Sequence, residues 1–276
     1  MDEVVHCPLC GEKEFQPWGS ENGYQCVRCT SCRLLYVNPR PCQVSIDKGV
    51  LLGVHHGESL NLNVVGRRVA SKVPQYRKVL YDNFPEFRDR QQPVDWLDVG
   101  AGFGEFVEAI TACLPAGSNC EGIEPMAPKA QSARNRGLRV REAFLSEVTE
   151  KYDVVSIFDI LSHVPNFHSF LHEIRAVLRP NGEVFIKTGN AADVGPRDRV
   201  PEPLTLPDHL VFAGESHIRR FLTEGGFDVV SLRACRVDGL VYSARNLVKW
   251  MLGRPVRLGV PYTSELRVLY IRARLR

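Results

Sequence analysis

The chain has 276 residues, of which 44% are hydrophobic and 24% charged, with a formal net charge of +3. This composition excludes a disordered or collagen-like chain, and so small a charge gives no electrostatic case for nucleic-acid binding. No apolar run reaches ~18 residues, so no spanning helix is expected; the acidic start MDEVVHCPLC lacks a signal-type apolar stretch, and a reducing cytoplasm is the expected compartment.

Cysteines crowd the first stretch. Cys7, Cys10, Cys26, Cys29, Cys32 and Cys42 all precede the turn-rich Asn38-Pro39-Arg40-Pro41 segment or end it. Cys7-Pro-Leu-Cys10 and Cys29-Thr-Ser-Cys32 are two CxxC pairs separated by 18 residues. Two thiolates three residues apart reach one ion, and two such knuckles complete a tetrahedral four-sulfur shell suited to Zn²⁺. Cys26-Val-Arg-Cys29 is a competing pair; Cys26 instead continues the alternation of a strand, so Cys7, Cys10, Cys29 and Cys32 are the expected metal ligands. A closed thiolate shell is structural, and a module of ~40 residues needs metal to make up for a small core. Residues 1–42 are therefore expected to form a zinc ribbon that serves as a lid or docking module, with a nucleic-acid reader as the alternative.

Residues 43–92 read as a helical connector or lid. The part around Gly53, His55, His56 and Gly57 reads as loop. From 61 to 87, apolar residues recur at three- and four-residue steps, and Pro74 starts or kinks a second helical segment.

From 93 to 276 the pattern alternates. Strands are expected at 94–99, 120–124, 138–141, 152–158, 183–187, 227–233 and 265–274. Helices are expected at 105–113, 127–135, 167–178, 216–224 and 241–252. Near-continuous apolar strands alternating with helices indicate an α/β fold, a mostly parallel, doubly wound Rossmann-like sheet covered on both faces. The helix at 241–252 is expected to cover that sheet, with a membrane surface as the alternative.

Leu97-Asp98-Val99-Gly100-Ala101-Gly102-Phe103-Gly104-Glu105 runs from strand through a glycine loop into a helix. Gly100, Gly102 and Gly104 allow a sharp turn and close backbone approach to a ligand. Glu124 ends the next strand, where a carboxylate accepts both hydroxyls of an adenosine ribose. A dinucleotide loop would carry a third glycine where Glu105 stands, and a carboxylate there repels a pyrophosphate. Asp98 and Glu105 suit a cation better, which points to S-adenosylmethionine, with its ammonium and sulfonium. Phe144 after the third strand, and Phe158 and Asp159 at the tip of the fourth, are further candidates to line the cofactor pocket.

These blocks resemble the class I S-adenosylmethionine-dependent methyltransferases over roughly 93–235. The glycine loop is similar to the family's first motif, and Gly122-Ile123-Glu124-Pro125 to its ribose-binding block. Tyr152-Asp153-Val154-Val155-Ser156-Ile157-Phe158-Asp159-Ile160-Leu161-Ser162-His163-Val164 is similar to the fourth-strand block. Leu178-Arg179-Pro180-Asn181-Gly182 resembles the turn before the fifth strand, and Asp208-His209-Leu210 with Gly225-Gly226-Phe227 the family's ending. The amino-terminal cysteines with Asn38-Pro39-Arg40-Pro41 resemble the zinc-ribbon subset, common among methyltransferases for sugars, glycans and natural-product precursors. The resemblance implies a seven-stranded sheet whose last strand is antiparallel. It departs at Ser162, where the family usually has Glu, which speaks against metal-dependent chemistry there.

Methyl transfer is an in-line displacement in which the enzyme positions a nucleophile and often removes its proton. His163, just past the fourth strand, and His209, after the fifth, are the candidate bases. His55, His56, His168 and His172 lack strand-tip positions, and the last two read as a solvated helix face. The expected activity is methylation of a small molecule or glycan, foremost the oxygen of a sugar hydroxyl on an acceptor such as a nucleotide-sugar. Methylation of a sugar carbon or an rRNA base are the alternatives. The basic side chains at 245–276 read as a solvated face or as a site for an anionic substrate.

Overall fold

The computed structural model describes residues 2–56, 61–200, 202–253 and 262–276. Its centre is a seven-stranded sheet. In chain order its strands are Asp95–Val99, Asn119–Ile123, Val140–Arg141, Tyr152–Phe158, Leu178–Gly189, Phe227–Arg236 and Arg267–Leu275. Across the sheet they run third, second, first, fourth, fifth, seventh, sixth. The first five pair in parallel, and the seventh is antiparallel to both neighbours. The strand order reverses between the first and fourth strands, and ligands of open α/β sheets sit beyond the carboxyl ends at such a point.

The central strands are apolar because both faces are covered. Leu97, Val155, Ile157, Val184 and Ile186 face one side; Trp96 and Phe185 face the other; all are fully buried. On the Trp96 side, the helix Lys72–Asn83 and the segment after it add Tyr76, Phe84 and Phe87 to an aromatic cluster. Pro74 stands in that helix's first turn, where its missing N–H costs nothing. The helix is shorter than the periodicity suggests: Asn61–Asn63 instead pairs antiparallel with Val54–His56. The expected loop at 53–57 is thus partly strand, and Gly57 lies outside the described residues. Gln43–Leu52 is a further helix.

The helix Phe167–Val177 ends one residue early, and the fifth strand starts at Leu178. A register shift between Tyr152 and Val154 admits the Pro180-Asn181-Gly182 turn, with Asn181 left-handed at φ 62°. The helix Leu240–Met251 does not cover the sheet with its apolar stripe. Leu240, Leu247, Val248, Trp250 and Met251 are exposed, and Asn246 is buried instead. Arg272 bonds Glu183 and Glu86 and lies on the Phe84 ring; Arg274 bonds Glu183; Arg276 bonds Asp228. Each of these three charges is paired with a carboxylate, Arg274 and Arg276 at the surface. Arg254 and Arg257 fall outside the described residues.

The amino-terminal module shares its sheet with the rest of the chain. Strands Phe15–Glu21, Tyr24–Cys29 and Leu35–Val37 form an antiparallel set, and Val211–Phe212 adds its fourth strand beside Leu35–Val37. Among the described residues no helix is long and apolar enough to cross a membrane.

Candidate active site

Two knuckles bring four sulfurs together. Cys7 Sγ lies 3.4 Å from Cys32 Sγ, and Cys10 Sγ 3.5 Å from Cys29 Sγ. All four lie within 4.8 Å of one another, and none is in a disulfide. Gly11 turns the first knuckle at φ 73°. Four thiolates this close repel unless a cation sits among them, so the donor set fits Zn²⁺. Cys26 stands outside the set, on a strand, its thiol pushed up to about 12 by burial.

The amino-terminal module grips the segment between the fifth strand and the helix Glu215–Glu224. The Glu21 carboxylate accepts the main-chain N–H groups of Leu204 and Thr205 at 2.8 and 2.7 Å. Asn22 donates to the Leu206 carbonyl at 2.8 Å, and Val37 N–H to that of Leu210 at 2.9 Å. Arg28 is buried and donates to the carbonyls of Ala192, Val194 and Gly195. His217 accepts Gly214 N–H at Nδ1, so its Nε2–H donates to Cys32 O at 2.8 Å. His168 is not purely solvated: its ring lies beside Phe221, with Nε2 at 3.4 Å from the Leu9 carbonyl. His172 is exposed.

The glycine loop follows the first strand. Gly100, Gly102 and Gly104 have φ of 69°, 55° and 81°. A Cβ on Gly100 would sit 2.2 Å from Ile160 Cδ1, whereas one on Gly102 would meet nothing within 4 Å. The middle glycine therefore borders open space. Glu124 is buried opposite it; its two oxygens accept Gly102 N–H at 2.8 Å and Met126 N–H at 3.0 Å. Each oxygen keeps a lone pair for a further donor.

Below the loop, Asp98 is buried. Ser156 Oγ donates to it at 2.5 Å while accepting Trp96 Nε1–H at 2.9 Å. Burial pushes the Asp98 carboxyl up to about 7; the Ser156 bond opposes this and the charge of Glu124 adds to it. Glu105 is buried at the head of the helix Glu105–Thr111 and accepts Val69 N–H at 2.7 Å, which docks the connector there. Tyr76, from the connector, was not singled out by the sequence. Its ring packs edge-on to Phe106 and Phe158, and burial plus the charges of Asp159, Asp98 and Glu105 hold its hydroxyl above the usual range. Those three carboxylates and the aromatic rings make a setting for a cation.

A ligand cation favours ionised Asp98, so binding below pH 7 must expel a proton. S-adenosylmethionine affinity measured by calorimetry is expected to weaken by up to about tenfold per pH unit as pH falls below 7, and Asp98→Asn to flatten the profile. A flat wild-type profile from pH 8 to 6 would remove Asp98 from contact with the cation. In the unliganded chain the sign is opposite. The native state holds a proton the unfolded chain releases, so this group's contribution to stability is lost as pH rises from about 4 to 7.

The other candidates are placed as follows. Phe158 stacks on Phe106 with ring centroids 3.9 Å apart, within the aromatic cluster. Asp159, left-handed at φ 58°, is paired with Lys187 and stays 59% exposed. Phe144 is exposed after the third strand, its N–H bonded to Glu147. His163 and His209 come together, their ring centroids 4.8 Å apart. Asp208 joins them, 3.4 Å from His163 Nδ1, and so does His55, whose Nε2 is 3.0 Å from Asp208 Oδ1. His55 was missed because nothing local to residues 53–57 signals a partner so far along the chain. A separate groove at the amino ends of the first, second and fourth strands, lined by Asp95, Glu121, Arg141, Glu150 and Arg179, is filled with mutually paired charges.

Residues 71–232 match the family model described as methyltransferase domain. The chain belongs to that methyltransferase family. It is 34% identical over 108 residues to a ubiquinone biosynthesis O-methyltransferase of Actinobacillus pleuropneumoniae serotype 7 (strain AP76), covering 34% of this chain and 45% of that one. A protein of the same description from Aeromonas salmonicida (strain A449) is 33% identical over 104 residues, covering 34% and 42%. The chain thus spans less than half the length of these relatives. Among solved structures, it superposes with a TM-score of 0.55 on geranyl diphosphate C-methyltransferase from Streptomyces coelicolor A3(2), at 14% identity over 84% of this chain and 98% of that one. YcgJ from Bacillus subtilis gives 0.52 at 12% identity, over 74% and 99%. At such identities the likeness is one of fold.

Proposed function

We propose that this protein transfers the methyl group of S-adenosylmethionine to a hydroxyl oxygen of a small molecule. The observation that carries this is the open space over Gly102, bordered by the Glu124 carboxylate and backed by Asp98 and Glu105. Glu124 would receive the ribose hydroxyls, the carboxylates below the loop the cationic end, and Phe144 the adenine. His163 and His209 stand past the carboxyl ends of the fourth and fifth strands, on the acceptor's side. Oxygen as the acceptor atom is supported by the relatives described as O-methyltransferases.

The finer reading is a sugar hydroxyl, carried on a nucleotide-sugar or glycan, and it rests on the ribbon's resemblance to the sugar-modifying subset. Four facing cysteines support structural zinc in that ribbon. An RNA-reading ribbon is disfavoured because Trp18 and Tyr36, two of its aromatic side chains, are engaged within the fold. Trp18 donates to Gly195 O and lies between Arg28 and Arg197, each 5.8 Å from its ring; Tyr36 is buried, which leaves Phe15 as the exposed ring, and one ring does not make a platform for successive bases. The test is transfer of labelled methyl to UDP-glucose, dTDP-glucose, catechol and ribosomal RNA. Labelled sugar or catechol supports the reading, and label on RNA alone contradicts it.

A further inference from the structure

Three histidines and one carboxylate meet on the acceptor's side, and their hydrogen bonds sort them. The Leu204 carbonyl lies 2.8 Å from His209 Nδ1. A carbonyl only accepts, so Nδ1 carries the proton and Nε2 keeps its lone pair. Leu204 is itself fixed by Glu21. The Asp208 carbonyl, at 2.9 Å, takes the Nδ1 proton of His163 in the same way, with Oδ1 of Asp208 3.4 Å from that nitrogen. His55, 9% exposed, donates Nε2–H to the same Oδ1. His163 thus faces an anion, and His209 faces a neutral carbonyl.

We propose that the two histidines divide the proton chemistry of the site: His209 Nε2 removes the proton of the acceptor hydroxyl, and His163, held charged by Asp208 with His55 behind it, donates from Nε2–H to the same oxygen. This deepens the methyl-transfer reading and rests on it. The acceptor proton passes to His209 Nε2. The oxygen's electron pair forms the bond to the methyl carbon as the carbon–sulfur bond breaks onto sulfur, which becomes neutral. His209 then releases the proton to solvent.

The charges facing the pair are Asp208, Asp159 and the two rings themselves; Lys187 is paired with Asp159, and His55 bonds the same Asp208 oxygen that faces His163. Burial opposes charge on His163, but the Asp208 side chain and carbonyl outweigh it, and the net shift is upward. Burial and the charge on His163 push His209 down, against a smaller pull from Asp208 and the Leu204 carbonyl. Activity therefore needs pH above the His209 transition and below that of His163, a bell-shaped profile.

The test follows the histidine ring signals by NMR against pH in the full chain, then transfer from labelled S-adenosylmethionine to UDP-glucose and catechol. His209 should titrate below His163. Asp208→Asn should lower the His163 transition by a pH unit or more and pull the descending limb of activity to lower pH, by more than it moves the ascending limb. His163→Gln leaves Asp208 present and should remove the descending limb while keeping the ascending one, which serves if Asp208→Asn fails to fold. His209→Asn, whose amide still donates to Leu204, should lose about 100-fold or more in kcat with cofactor affinity unchanged. His163 titrating below His209, an unmoved limb in both variants, or a full rate in His209→Asn would overturn the assignment. So would a second bound divalent ion per chain that His209→Asn removes. Absence of transfer by the wild type to either acceptor would count against the acceptor reading, while the ring titrations still judge the division between the histidines.

Discussion

Cys10→Ser is expected to lower methyl transfer roughly 100-fold while leaving S-adenosylmethionine binding nearly intact. The ribbon and the acceptor side are one structure: Val211–Phe212 is the edge strand of the ribbon's sheet, and Glu21 and Asn22 hold Leu204, Thr205 and Leu206. Asp208 and His209 lie between those two anchors. Structural zinc supplies much of the folding free energy of small modules, about 10 kcal/mol or more in isolated fingers. Removing one thiolate should release the ion and let the 202–212 segment drift, and a displacement of about 1 Å at a reacting group is enough to lower turnover roughly 100-fold. The glycine loop and Glu124 sit across the sheet's centre and do not touch the ribbon's hydrogen bonds. The measurement is metal content, turnover and cofactor calorimetry on the variant, and on wild type stripped by chelator and reloaded with zinc. One zinc per chain, with activity lost on stripping and regained on reloading, is the expected result. Full turnover by zinc-free protein would refute the coupling.

Glu124→Ala is expected to weaken S-adenosylmethionine binding by about 3 kcal/mol, roughly 100-fold in Kd. The variant loses the ribose acceptor and also leaves Gly102 N–H and Met126 N–H without the carboxylate that orders them. Glu124→Gln keeps one accepting oxygen and should fall between. Gly102→Asp provides an independent probe. Aspartate tolerates the left-handed backbone better than most residues, so the fold survives while its side chain enters the open space. Calorimetry that finds both Glu124→Ala and Gly102→Asp binding like wild type would remove the site from this loop.

What the sequence made legible is local. The three loop glycines, the left-handed Asn181, the two CxxC knuckles and the apolar central strands each carry their signal within a few residues, because turn sterics and burial period are local properties. The missing parts depend on distant partners. His55 and Asp208 are 153 positions apart, and a two-residue strand such as Val211–Phe212 has no periodicity to read. Tyr76 reads only as one apolar position of a helix until the sheet sets it beside three carboxylates. The stripe on Leu240–Met251 announces amphipathicity, but a pattern does not say what lies against it, and here the apolar side is exposed. The expected break at Pro180-Asn181-Gly182 is also real, yet the strand starts before it, because Leu178 pairs with Tyr152.

The cleft over Gly102 is expected to hold a sulfonium nucleoside. The most direct measurement is a crystal structure of the full chain grown with S-adenosylhomocysteine. The product is expected in that cleft, its ribose hydroxyls on the Glu124 carboxylate and its amino end toward Asp98. A cleft that stays empty, or one that takes up a dinucleotide in its place, would contradict this assignment.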